Sequence, residues 1–113
     1  MNLLLEKAEE VGLAVIKASR QLSAEKNWSL ADQVLRSGTS IGANISESEF
    51  AQSRRDFISK LQIALKECNE TLYWLRLLEK AELWKDEHTA SLCKDIQRML
   101  IASIKTAKKN IED

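Results

Sequence analysis

Residues Arg36–Leu78 read RSGTSIGANISESEFAQSRRDFISKLQIALKECNETLYWLRLL. Two helical patterns meet in this stretch at a short acidic and polar corner, Glu47-Ser48-Glu49-Phe50-Ala51-Gln52. Before the corner, Ala31, Val34, Leu35, Gly38, Ile41, Gly42 and Ile45 recur at helical spacing. After it, Phe57, Leu61, Ala64, Cys68, Leu72 (with Thr71), Leu75 and Leu78 form a second seam. Small and uncharged polar residues occupy helix positions that a simple bundle would give to Leu or Ala. Such groups are costly to bury without partners. They therefore serve oligomer register, a ligand, or both.

The flanking segments repeat the helical pattern. Leu4, Ala8, Val11, Val15, Ala18 and Leu22 alternate spacings of four and three, the 3.5-residue period of a left-handed bundle. This predicts a first helix from about Asn2 to Ala24. Glu6, Glu9 and Glu10 lie in its early turns, where acids complement the helix dipole. A four-residue link, Glu25-Lys26-Asn27-Trp28, leads to Ser29 as the expected N-cap of a second helix over Leu30–Ser48, with Asp32 three residues on. Ser53 is the expected N-cap of a third helix over Arg54–Ala81, with Asp56 at its third position. Asp86 is the expected cap of a fourth over Glu87–Ile111, whose inner face carries Leu92, Ile96, Met99, Leu100, Ser103, Ile104, Ala107 and Ile111. Gly38 and Gly42, four residues apart, allow a close helix–helix approach. Four amphipathic helices with short links predict an all-α, antiparallel up-down-up-down four-helix bundle in a single domain over residues 1–113. A bundle whose helices exchange between protomers is the alternative.

Composition narrows the function. The chain has no Pro and three Gly among 113 residues, and its 17 basic and 17 acidic residues cancel. That balance argues against a strongly basic polyanion binder but leaves room for a local basic patch. Cys68 and Cys93 fall at apolar positions and read as buried thiols of a reducing cytoplasm. The sole histidine, His88, leaves a Cys/His zinc site short of ligands. Glu67 and Glu70 resemble half of a carboxylate metal site, but the Glu-x-x-His pairs of di-iron bundles are missing, so no metal or other cofactor is expected. No nucleophile has a His partner and no glycine-rich phosphate loop occurs, so no enzyme is expected. The N-terminal segment lacks a basic run before its apolar residues, and no 18 consecutive apolar residues occur. Neither a secretory leader nor a membrane span is expected.

The segments SGTSIGANISE (Ser37–Glu47), SRRDFISKLQIALKECNET (Ser53–Thr71) and YWLRLL (Tyr73–Leu78) resemble the four-helix-bundle family named for proteins encoded in bacterial 23S rRNA intervening sequences. The accessory variability proteins of diversity-generating retroelements look like relatives. The resemblance covers nearly the whole chain in helix order. It implies a small homo-oligomer, most often a barrel-like pentamer, with nucleic acid and a reverse transcriptase as partners of the retroelement relatives. Those relatives are strongly basic, whereas this chain is neutral.

Three groups of residues are candidates for function. Ser37, Ser40, Asn44 and Glu47 form one stripe of the second helix, with Arg36 beside it. Lys60, Glu67, Glu70 and Trp74 form a stripe of the third. If the stripes meet, Arg36 pairs with Glu67 or Glu70 while Ser40 and Asn44 satisfy the remaining groups. Arg36, Ser40, Asn44, Glu67, Glu70 and Trp74 are the expected assembly residues. Arg54, Arg55, Lys105, Lys108 and Lys109 are the expected contacts to RNA or DNA. The two arginines open a helix, where dipole logic prefers acids. Trp28, Tyr73, Trp74 and Trp84 read as a cluster at one end of the bundle, with Trp28 neighbouring Trp74, or as an anchor for a protein partner.

Overall fold

The computed structural model describes residues 2–112. Four helices follow one another: α1 (Asn2–Ala24), α2 (Trp28–Ser48), α3 (Arg54–Lys80) and α4 (Glu87–Glu112). Each packs against its chain neighbours, and α1 meets α4 to close the bundle, whose extents are 52 × 22 × 20 Å. Paired residues run in opposite directions along adjacent helices. Val15 faces Gly38 while Ala8 faces Gly42. Lys7 bonds Asp95 while Glu10 lies near His88. The fold is an antiparallel four-helix bundle, and the α1–α4 seam is the thinnest of its four.

The heptad seam of α1 is buried in full: Leu4, Ala8, Val11, Val15, Ala18 and Leu22 are each at most 2% exposed. The core of α2 is Ala31, Val34, Ser37, Gly38, Ile41, Ile45 and Ser48. In α3 the first inward side chain is Ile58 rather than Phe57, which is half-buried. Ile58, Leu61, Ala64, Cys68, Thr71, Leu75 and Leu78 continue the inner face.

The helix starts divide by their chemistry. Ser53 caps α3, accepting from Asp56 N at 3.0 Å, while the Asp56 carboxylate accepts from Gln52 N. Asp86 caps α4 by accepting from Thr89 N at 3.0 Å and from Thr89 Oγ1 at 2.6 Å. The expected Ser29 cap is corrected: α2 begins at Trp28, preceded by Asn27, which makes no side-chain cap bond. The cause lies at the end of α1. Lys26 adopts φ 68°, its N–H bonds Ser23 O, and Asn27 N–H bonds Leu22 O, a Schellman turn. That turn places the Asn27 carbonyl to accept from Ala31 N, so the helix starts two residues early. The same turn ends α3, with Glu82 at φ 60° and Leu83 N–H bonding Leu78 O. Glycine is the usual residue at this left-handed position and neither turn uses it.

Candidate functional site

The two polar stripes meet along the α2–α3 seam. Arg36 bonds Glu67 Oε2 at 3.2 Å and also bonds Glu70. Gln33 accepts a further bond from Arg36. Trp74 Nε1 donates to Glu70 Oε2 at 2.9 Å, and the Trp74 ring meets Tyr73 edge-on with centroids 5.1 Å apart. A guanidinium, two carboxylates and an indole thus form one network across two helices of the same chain. Arg36 is half-exposed, whereas Glu67 and Glu70 are 15% and 28% exposed.

Ser40 and Asn44 do not join this network. Ser40 Oγ donates to Arg36 O at 2.6 Å and Asn44 Nδ2 donates to Ser40 O at 2.8 Å, each back to its own helix. A short polar side chain on a helix reaches the carbonyl four residues earlier more readily than a neighbouring helix. The role expected of them across the seam is taken instead by Ser37 and Thr71, both fully buried. Thr71 Oγ1 donates to Ser37 Oγ at 3.0 Å and lies 2.8 Å from the Glu67 carbonyl. The signal was in the sequence: Thr71 sits in the apolar phase of α3, where a hydroxyl needs a buried partner.

The basic residues gather at the opposite end of α3. Arg54, Arg55, Lys105, Lys108 and Lys109 are all exposed, and none forms an ion pair among the described residues. Antiparallel packing brings the start of α3 beside the end of α4. Arg54 and Phe57 line a groove of about 380 Å³ with Ala102, Ser103, Thr106 and Asn110. The Arg54 guanidinium lies 5.9 Å from the Phe57 ring centroid. Lys105, Lys108 and Lys109 stand outside this groove.

The aromatic cluster divides. Trp74 and Trp84 pack on the core, whereas Trp28 is 60% exposed and enters no aromatic pair among the described residues, so the expected Trp28–Trp74 contact is absent. Phe50, at the α2–α3 corner, is 83% exposed. Cys68 and Cys93 are buried free thiols, with Cys68 Sγ donating to Cys93 O at 3.2 Å. Hydrogen bonding to Cys68 and then burial push the Cys93 thiol far above the ordinary cysteine range, which keeps it protonated and unreactive. No group of three metal-ligating side chains occurs among the described residues. No helix among them is long and apolar enough to cross a membrane.

The comparisons with known proteins agree with this architecture. A crystal structure from Bacteroides thetaiotaomicron, described as a protein with unknown function from the S23 ribosomal protein family, is 44% identical, with a TM-score of 0.85. The match covers 90% of this chain and 98% of that one. No curated protein matches. The family model described as 23S rRNA-intervening sequence protein matches residues 2–102, a span that holds α1, α2, α3 and more than half of α4, and the chain belongs to this family.

Proposed function

We propose that the protein is a homo-oligomeric scaffold or adaptor of the cytoplasm. It has no catalytic activity of its own and associates with nucleic acid or with an enzyme that acts on it. The observation that carries this reading is the group of five exposed cations at one end of the bundle, Arg54, Arg55, Lys105, Lys108 and Lys109, none with an ion-pair partner among the described residues. An exposed cation without a counter-ion exchanges its own hydration for a phosphate at little cost, and bound phosphates release condensed counterions. Repetition of the patch in an oligomer multiplies the effect, so a chain with no net charge still presents a basic rim. The number expected, five copies, rests on the resemblance of Ser37–Glu47 and Ser53–Thr71 to the family. The descriptions of the family and of the solved relative refer to 23S rRNA and to a ribosomal protein family, which makes RNA the first nucleic acid to test.

The assembly role of the Arg36 stripe takes a narrower form. Because Arg36, Glu67, Glu70 and Trp74 satisfy one another within one chain, the stripe acts by holding α2 on α3 rather than by reaching across copies.

A second reading follows from Trp28 and Phe50. Large exposed aromatics are common anchors of protein interfaces. On this reading the oligomer binds a protein partner and ignores nucleic acid.

Light scattering on a size-exclusion column, with and without short RNA and DNA, separates the readings. A mass near five times 12.8 kDa, with RNA co-eluting at low salt and departing as salt rises, supports the adaptor. In the double variant Arg54→Glu, Arg55→Glu, RNA affinity falls and its salt slope flattens. An oligomer that never carries nucleic acid points to the protein-binding module.

A further inference from the structure

Charge is unevenly divided in this neutral chain. Residues 1–52, which form α1 and α2, carry seven acids and five bases. Residues 53–113 carry ten acids and twelve bases. The outermost stripes of α1 and α4 concentrate the difference. On α1, Glu6, Glu9, Leu13, Ile16 and Arg20 follow at spacings of three, four, three and four, facing away from the buried seam. Leu13 is 69% and Ile16 37% exposed. On α4, Lys94, Arg98, Ile101, Lys105 and Lys108 follow at spacings of four, three, four and three, with Ile101 54% exposed in their midst. Glu6, Glu9, Lys105 and Lys108 have no ion-pair partner among the described residues.

We propose that these two stripes dock on one another between two copies of the chain, α1 of one copy antiparallel to α4 of the next. Both helices rise about 1.5 Å per residue, so one register holds along the whole contact. It sets Leu13 against Ile101, Glu9 against Lys105 and Glu6 against Lys108, with Ile16 lying on the aliphatic stem of Arg98. Every apolar residue of one stripe meets an apolar surface of the other, and every acid meets a base. Arg20 against Lys94 is the one like-charged pair. A second copy fits better than an unrelated partner because the spacing of charge and apolar side chain on α1 is matched, in reverse order, by this chain's own α4. The contact rests on the homo-oligomer reading above. It assigns Lys105 and Lys108 to assembly and leaves Arg54, Arg55 and Lys109 for phosphate.

Charge reversal tests the contact, read as solution mass by light scattering with helicity checked by circular dichroism. Glu6→Lys with Glu9→Lys is expected to shift the mass to a 12.8 kDa monomer, as is Lys105→Glu with Lys108→Glu, and the fourfold exchange is expected to restore assembly. Arg20→Glu gives Lys94 an opposite charge and is expected to lower the dissociation concentration several-fold, a gain that a generic surface effect would not produce. An oligomeric wild type whose mass ignores both double variants overturns this contact and leaves the oligomer standing. So does a fourfold exchange that stays monomeric while folded, or an Arg20→Glu variant with no gain. A wild-type protein that is monomeric at every concentration overturns the oligomer reading itself, and this contact with it.

Discussion

The two flanks of α2 solve the same packing problem in different ways. Against α1 the contact is apolar and very close. A Cβ built on Gly38 falls 2.5–2.9 Å from the Val15 side chain, so only a glycine lets these backbones approach. Against α3 the contact is polar at its centre and charged at its edge: the Ser37–Thr71 bond is fully buried, and Arg36 bridges Glu67 and Glu70 beside it. The apolar flank specifies distance. The polar flank specifies register, because the buried Ser37 hydroxyl meets Thr71 at one alignment of α2 on α3 and keeps only a 3.5 Å contact to Val34 O one turn away.

Substitutions on the two flanks sharpen this contrast. Gly38→Ala is expected to have the largest effect, a loss of about 1–3 kcal/mol, since Val15 is stiff about χ1 and the helices must part. Urea unfolding measures it as a lowered midpoint at unchanged slope. A Gly38→Ala protein as stable as the parent would show that the α1–α2 distance is not set there. Next comes Thr71→Val. It leaves the Ser37 hydroxyl buried with only a 3.5 Å contact to Val34 O, and about 1–2 kcal/mol is expected to be lost. Adding Ser37→Ala to it should recover most of that loss, because two apolar groups of similar shape replace a matched pair. A fully additive double variant would deny the coupling. The smallest effect is expected at Gly42→Ala. A Cβ there meets Ala8 at an ordinary 3.5 Å, and helix propensity favours alanine by up to about 1 kcal/mol, so the melting temperature should hold or rise. A marked fall would mean that the whole glycine pair, and not Gly38 alone, sets the approach.

Most of the seam is legible because burial follows period, and period is visible in a sequence: the α1 seam is buried in full, whereas Leu35, Gly42, Leu72 and Met99 of the other helices are half-buried. The Arg36 pairing was legible for the same reason: charges of opposite sign recur on two stripes whose helices a short corner forces together. What escaped was decided by rotamer and by turn. Spacing places Ser40 and Asn44 on the right stripe but does not say whether a short polar side chain bonds its neighbour helix or its own carbonyls. Phe57 and Ile58 are adjacent apolar residues at the first turn of α3, and only packing decides that Ile58 goes inward. Trp28 was expected beside Trp74. The early start of α2, set by a Schellman turn with Lys26 where glycine would advertise it, leaves that ring largely in solvent. Residue type alone marks the basic residues, and packing adds that α3 and α4 bring them to one end.

The thin α1–α4 seam has a kinetic consequence. Three of the four seams join consecutive helices through short turns, so each forms with little loss of loop entropy. Only α1 against α4 must be closed across the whole chain. A topology so dominated by local pairings folds fast, with that closure as its late step. In the native state the same seam is where sub-global opening has least to undo, so amide protons along the facing sides of α1 and α4 are expected to exchange ahead of those buried between α2 and α3.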